Sequence, residues 1–217
     1  GGGPDLIFPH HENEIAQSEA ANDKTFANYW MHNGFVNIDN VKMSKSLGNF
    51  ITVHDALKTI DGQVLRFFFA TQHYRKPINF TEKAVRDAET NLKYLKNTYE
   101  QPFTGEVDPA DLQSFVDKFI AAMDEDINAA NGITVVFELA KWINSGHYNQ
   151  DVKDALTKML EVFGVVFVEE VLDADIEALI TERQEARAKK DFARADAIRD
   201  ELAAQGIKLL DTKEGVR

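Results

Sequence analysis

The chain has 217 residues, is 44% hydrophobic and carries 36 acidic against 24 basic side chains, a net charge of −12, enough material for one large or two small packed domains. No apolar run approaches the roughly 18 residues of a bilayer span and no basic-then-apolar leader opens the chain, so a soluble, cytoplasmic protein without a membrane partner is expected. Cysteine is absent, which excludes disulfides, thiol nucleophiles and thiolate ligands within these residues and leaves histidine and carboxylate as the metal donors.

Gly1-Gly2-Gly3 opens a glycine-rich turn, and Leu6-Ile7-Phe8 reads as an extended piece leading into a helix. Pro9 suits the first helical position, where its missing N–H costs nothing. His10 and Glu14 are four apart on that helix and project from one face. An imidazole and a carboxylate so placed can hold one divalent cation; an ordinary surface pair has the same spacing, and zinc needs two more ligands. The start at Gly1, without methionine and inside a motif, reads as the start of a fragment.

The aromatic-rich stretch Phe26 to Gly34, with Tyr29, Trp30 and His32, is expected in the core. Phe35 to Asp39 alternates as a short strand, followed by a turn at Asn40-Val41. Then comes Lys42-Met43-Ser44-Lys45-Ser46, continued by Leu47-Gly48-Asn49. Each lysine offers a compact, mobile charge with three donors, and the serines and Gly48 leave the backbone free to close over a phosphate chain. At the carboxyl end of a strand in an open α/β sheet, such a loop sits where these sheets bind nucleotides. A solvated turn bearing two lysines is the plain alternative.

Thr52-Val53-His54-Asp55 has the form of a capping box, and Asp61-Gly62 interrupts the helix it opens. Gln63 to Gln72 carries Phe67-Phe68-Phe69, expected to be buried, while His54 and His73 read as structural or surface residues. Arg75-Lys76-Pro77 reads as a solvated basic turn, or as one lying against the acceptor arm of an RNA. From Thr81 the pattern becomes helical. Val85, Ala88, Leu92, Leu95 and Tyr99 form an apolar stripe; Asp108-Pro109 opens a helix carrying Leu112, Phe115, Phe119 and Met123; and two more helices cover Ile133 to Ile143 and Val152 to Phe163. Asp124-Glu125-Asp126 and Asn128 to Asn131 lack the spacing of a calcium loop and read as a helix junction.

Val165 to Ala174 reads as a linker. Ile176 to Lys189 and Phe192 to Ala204 follow as a helical hairpin, with Asp191 capping the second helix, Gly206 ending it and a strand-like piece from Ile207 to Asp211. A solvated hairpin fits this composition. So does a small RNA-binding module, in which arginines meet phosphates and base edges and an aromatic stacks a splayed base. The net charge repels polyanions as a whole, and no DNA partner is expected. Screening over about 8 Å still lets a small basic patch act locally.

The lysine loop closely resembles the KMSKS signature of class I aminoacyl-tRNA synthetases. The string from Gly1 to Glu14 resembles the segment that precedes that loop in cysteinyl-tRNA synthetases, and the tail from Ala186 to Thr212 resembles their anticodon-binding domain. The resemblance implies an α/β part, the second portion of a Rossmann-like catalytic domain, over residues 1–80. A mostly α-helical bundle over 81–168 and a small anticodon-binding domain over 169–217 would follow. It implies Lys42 and Lys45 as catalytic residues, with Lys45, Asp5 and Gly3 on ATP, and His10 and Glu14 as two ligands of a zinc ion whose remaining ligands, two cysteines, lie upstream of this chain. Arg187, Phe192, Asp196, Arg199 and Asp211 would contact the anticodon. The family often has tryptophan where Phe192 stands, and it usually continues past Gly215 with another. The implied partners are ATP with Mg2+, cysteine and tRNA(Cys), and the chain alone would be inactive for want of the first half. A cysteine ligase acting on a small amine and a noncatalytic tRNA-binding or structural fragment are the competing readings.

Overall fold

The computed structural model describes residues 1–167 and 174–204 and the backbone of two short strands at 211–212 and 215–216. It forms two compact units, Gly1–Phe167 and Val168–Arg217.

In the first unit the glycine turn runs alongside residues 31–33: Gly2 N–H donates to Met31 O (3.1 Å) and Asn33 N–H to Gly2 O (2.8 Å). The extended piece expected at Leu6-Ile7-Phe8 is not present. Pro4–Leu6 forms a single tight helical turn, and only Phe8 is extended (φ −130°, ψ 132°). A proline disfavours helical backbone in the residue before it, so the helical run starts at Pro9 and continues into α1, Glu12–Asn22. Asp23 ends α1 in the left-handed conformation (φ 51°).

Strands β1 (Val36–Ile38) and β2 (Val41–Lys42) form an antiparallel hairpin, and β3 (Ile78–Phe80) pairs parallel with β1, giving the order β2-β1-β3. The turn lies at Asp39-Asn40, both with positive φ (48° and 67°), one residue earlier than the sequence predicts. Two consecutive left-handed residues match the twist of a tight hairpin, and Asp and Asn tolerate that conformation best after glycine. Asn79 pins the turn by accepting from Asn40 N–H (2.8 Å) and donating to its Oδ1 (2.9 Å). Lys42 therefore belongs to a strand, and the hairpin folds the lysine loop back to the amino end of β1, where Met43 N–H donates to Val36 O (3.0 Å). The loop does follow a strand, but an antiparallel one, so it does not stand at the carboxyl ends of β1 and β3.

Thr52 caps the short α2 (Val53–Ala56) by accepting from Asp55 N–H, and Asp61 caps α3 (Gly62–Ala70) by accepting from Gln63 and Val64 N–H. Helices α4 (Glu82–Tyr99), α5 (Pro109–Asp124), α6 (Ala129–Asn144) and α7 (Gln150–Val162) start at Thr81, Asp108, Asn128 and Asn149, each accepting a first-turn N–H. Their apolar stripes close on one core, in which Leu95, Val136, Leu139, Tyr148, Val152 and Leu156 are fully buried. Phe67 and Phe68 of α3 belong to the same core, so residues on either side of position 80 share one interior. Phe69 corrects the expectation of a wholly buried triplet: it is 36% exposed. The aromatic stretch before β1 is likewise not core, since Phe26, Tyr29 and Met31 are exposed, Tyr29 by 91%. The turns around these residues supply no facing layer, so of the aromatic rings in the stretch only Trp30 and His32 are partly covered, both against His11.

The second unit is a helical hairpin, α8 (Ala174–Ala188) and α9 (Phe192–Ala204). Ala186, Ala195, Ile198 and Leu202 are buried, the alanines letting the helices approach closely. Asp191 caps α9 by accepting from Arg194 N–H (3.1 Å), and Arg194 Nε donates to Glu182 Oε1 across the hairpin (2.8 Å). This bond holds the Glu182 carboxyl below the usual carboxylate range. Strands β4 (Asp211–Thr212) and β5 (Gly215–Val216) pair antiparallel. Gly206 and the stretch from Ile207 to Leu210 lie outside the described residues.

Candidate functional site

The lysine loop is a single tight turn, Lys45–Leu47, built from its own hydroxyls and one carboxamide. Ser44 Oγ accepts from Leu47 N–H (3.3 Å) and shares a hydrogen bond with Ser46 Oγ (2.8 Å). Asn49 accepts from Ser44 N–H (2.9 Å) and donates through Nδ2 to Lys42 O (3.3 Å), closing the loop on itself. Gly48 ends the turn with φ 69°, where a side chain would be strained.

Both lysines are exposed and rest on aromatic faces. Lys42 Nζ stands 3.7 Å above the centroid of Phe35, and Lys45 Nζ lies 5.5 Å from that of Phe50. Phe35 also borders the glycine turn: a Cβ placed on Gly3 would lie 3.8 Å from Phe35 Cε1. The same Cβ would collide with Asp5 Oδ1, so a side chain at position 3 would displace the Asp5 carboxylate from where it now folds over the bare backbone. Gly3 and Lys42 thus border one ring, with the Asp5 carboxylate folded over Gly3. Lys45 rests on a different ring, that of Phe50.

His10 and Glu14 are both exposed on the continuous helical run from Pro9, one turn apart. The neighbouring His11 faces inward. It is 9% exposed, its Nδ1 is 2.8 Å from His32 Nε2, and its ring lies 5.0 Å from that of Trp30. Among the described residues no three potential ligands cluster, so His10 and Glu14 are two donors and not a closed metal site.

In the second unit Arg187, Phe192, Asp196 and Arg199 line one pocket of about 210 Å³ together with Arg183 and Ala195. Phe192 presents an exposed ring (62%). Arg199 is ion-paired with Asp196 (2.9 Å) and Asp200 (3.4 Å). The structure brings four of the five anticodon candidates together; the side chain of the fifth, Asp211, lies outside the described residues.

The sequence reading gave no role to Phe35 or Asn49, nor to the cluster at the α5–α6 junction. There Asp126 (φ 57°) accepts from Tyr74 OH (2.6 Å) and from Arg75 Nη2 (2.9 Å), with His73 Nε2 at 3.9 Å. The Arg75 guanidinium holds the Asp126 carboxyl well below the usual range, and Asp126 pushes the Tyr74 hydroxyl up. Arg75 is therefore paired and not merely solvated. A run of acidic residues offers no sign of which basic residue, some fifty positions away, will meet it.

Three family models match the chain in order. The class I (C) tRNA synthetase catalytic domain covers residues 1–90, the DALR domain 118–169 and the cysteinyl-tRNA ligase anticodon-binding domain 169–216. The cysteine–tRNA ligases of Streptococcus pneumoniae serotype 4 and Streptococcus mutans serotype c are 82% and 80% identical over all 217 residues. The chain spans about half (48%) of the length of these relatives. In fold it is similar to the LeuRS of a LeuRS–tRNA–LeuAMS ternary complex from Agrobacterium radiobacter K84, with a TM-score of 0.53 at 15% identity over 76% of this chain and 27% of the other. With models for the catalytic, DALR and anticodon-binding parts following one another along it, and relatives of one kind matching its whole length, the chain belongs to the cysteinyl-tRNA synthetase family.

Proposed function

We propose that this chain forms the C-terminal part of a cytoplasmic cysteine–tRNA ligase, supplying the lysine-loop side of its active site and its anticodon-reading tail. The whole protein joins cysteine to ATP as cysteinyl-adenylate, releasing pyrophosphate, and passes the cysteinyl group to the terminal ribose of tRNA(Cys). The observation that supports this most is the meeting of the glycine turn and the lysine loop at Phe35, which gives the candidate adenosine and phosphate contacts a common wall.

The bare backbone at Gly3 lets the adenosine approach, and the Asp5 carboxylate accepts from ribose hydroxyls. Lys45 and Lys42 meet the phosphates, with Mg2+ accompanying the ATP. Negative charge grows on the departing pyrophosphate, and ammonium groups already aimed at it lower the barrier more than they stabilise bound ATP. His10 and Glu14 fit a zinc ion as nitrogen and oxygen donors on one helical face, the remaining ligands coming from outside these residues. A zinc ion held there supplies a Lewis acid that prefers thiolate to hydroxyl, separating cysteine from serine by chemistry where a pocket alone offers only about 1–3 kcal/mol per small group. In the tail, Phe192 stacks an unpaired base while Arg187, Arg199, Asp196 and Asp211 contact phosphates and base edges.

Cysteine-dependent ATP–pyrophosphate exchange by the full-length protein tests the reading. Lys45→Ala is expected to slow exchange by about 10²–10³-fold, and the 217-residue chain alone is expected to support none. Exchange that is indifferent to cysteine, or undiminished in Lys45→Ala, overturns it.

A further inference from the structure

The two lysines of the loop are not held alike. Lys45 stands loosely over Phe50 at 5.5 Å, whereas Lys42 is seated on Phe35 at 3.7 Å from the ring centre. The seat is built by the sheet. Lys42 is opposite Asn37 in the antiparallel pair, and Phe35, the residue just before β1 and two positions from Asn37, is its diagonal neighbour. A long side chain reaches such a diagonal neighbour across a hairpin. Backbone bonds fix the ring's own position: Phe35 O accepts from Ile78 N–H (2.8 Å), and Val36 O accepts from Met43 N–H (3.0 Å). The ring also borders the glycine turn, since a Cβ on Gly3 would lie 3.8 Å from Phe35 Cε1.

Resting on the reading of Lys42 as a phosphate ligand, we infer that Phe35 is a positioning residue, which holds the Lys42 ammonium beside the glycine turn before ATP arrives. An ammonium has three N–H donors, and a ring face occupies only one side of it, so the seated group can meet phosphate oxygens without leaving the ring. A lysine free in solvent must surrender its rotamer freedom on binding ATP; one already seated has surrendered it. Because Lys42 is exposed, the contact falls at the weak end of cation–π interactions. Its loss corresponds to about a two- to fivefold change in an equilibrium. Such preorganisation acts on ATP binding as a whole and appears in KM with kcat little changed.

Two measurements test this. In the 217-residue chain, with no ligand added, the Lys42 Hε protons are expected to resonate upfield from the ring current of Phe35. Phe35→Leu should remove that shift and Phe35→Tyr should keep it. In the full-length enzyme, Phe35→Leu is expected to raise the KM for ATP in cysteine-dependent exchange by about two- to fivefold. Phe35→Tyr should restore it, and Phe35→Leu should have no further effect in a Lys42→Ala background. Absence of the upfield shift overturns the inference. So does a Phe35→Leu effect that persists undiminished without Lys42, since the ring would then be acting through packing. If Lys42→Ala itself leaves exchange unchanged, the phosphate reading of Lys42 fails. A surviving upfield shift distinguishes that failure from a misplaced side chain.

Discussion

The Asn49 carboxamide makes two bonds at once, accepting from the Ser44 N–H and donating to the Lys42 carbonyl. No other side chain in the loop bridges both ends of the segment that carries the lysines. Asn49→Ala removes both bonds and leaves groups that water can solvate, so the expected cost is about 1 kcal/mol, or roughly a fivefold rise in the KM for ATP. Steady-state exchange kinetics of the full-length variant measure it; an unchanged KM would mean that the serine hydroxyls alone hold the loop. At this scale the cationic, hydroxyl-rich character of the loop is legible in the sequence because the residue types themselves carry it. Phe35 is not, since an aromatic residue in an alternating strand reads as packing until the hairpin shows that Lys42 reaches its face. Tyr29 fails in the same way: aromatic content does not say whether a second layer will cover it.

Among the elements, the α5–α6 junction is held to the turn before β3 by Asp126 with Tyr74, Arg75 and His73. The Asp126 carboxyl titrates below its ordinary value, so its contribution to stability is fully present above the unfolded carboxylate pKa of about 3.9 and is lost as pH falls through the folded value. The Tm difference between the wild type and Asp126→Asn is expected to be largest near neutral pH and to shrink towards pH 2.5; a difference that grows in acid would reverse the assignment. In the tail hairpin, Leu202 is fully buried, and Leu202→Ala should cost about 2–5 kcal/mol. Both tryptophans and all five tyrosines precede residue 168, so amide hydrogen exchange of α9, and not fluorescence, is the suitable readout. Faster exchange throughout α9 is expected, and unchanged protection would mean that the site collapses around the cavity. Helix starts are the most legible elements, because Thr52, Asp108 and Asp191 each sit where a first-turn N–H needs an acceptor. The hairpin is less legible: a two-residue strand carries no periodicity, and misplacing its turn by one residue moved Lys42 from a strand into a loop.

Across the whole molecule the charge of −12 opposes any approach of RNA, yet the tail pocket gathers Arg187 and Arg199 beside the exposed Phe192. Arg199 is already paired with Asp196 and Asp200, so contact with a phosphate exchanges one ion pair for another and releases little net attraction. Salt therefore acts in two opposed ways, screening the local attraction and also the general repulsion. If Arg187 and Arg199 are the two phosphate contacts, log K for tRNA(Cys) should fall with log salt with a slope no steeper than about −1.4, and Arg199→Ala should reduce it to about −0.7. Anisotropy titrations of labelled tRNA(Cys) at several salt concentrations measure both slopes, and the same tRNA with an altered anticodon supplies the comparison. Shallow slopes with a preference for the native anticodon would place discrimination in base stacking on Phe192 and in hydrogen bonding to base edges. A slope of about −4 or steeper, untouched by Arg199→Ala, would require a larger basic surface than this pocket offers and would remove the tail from anticodon reading.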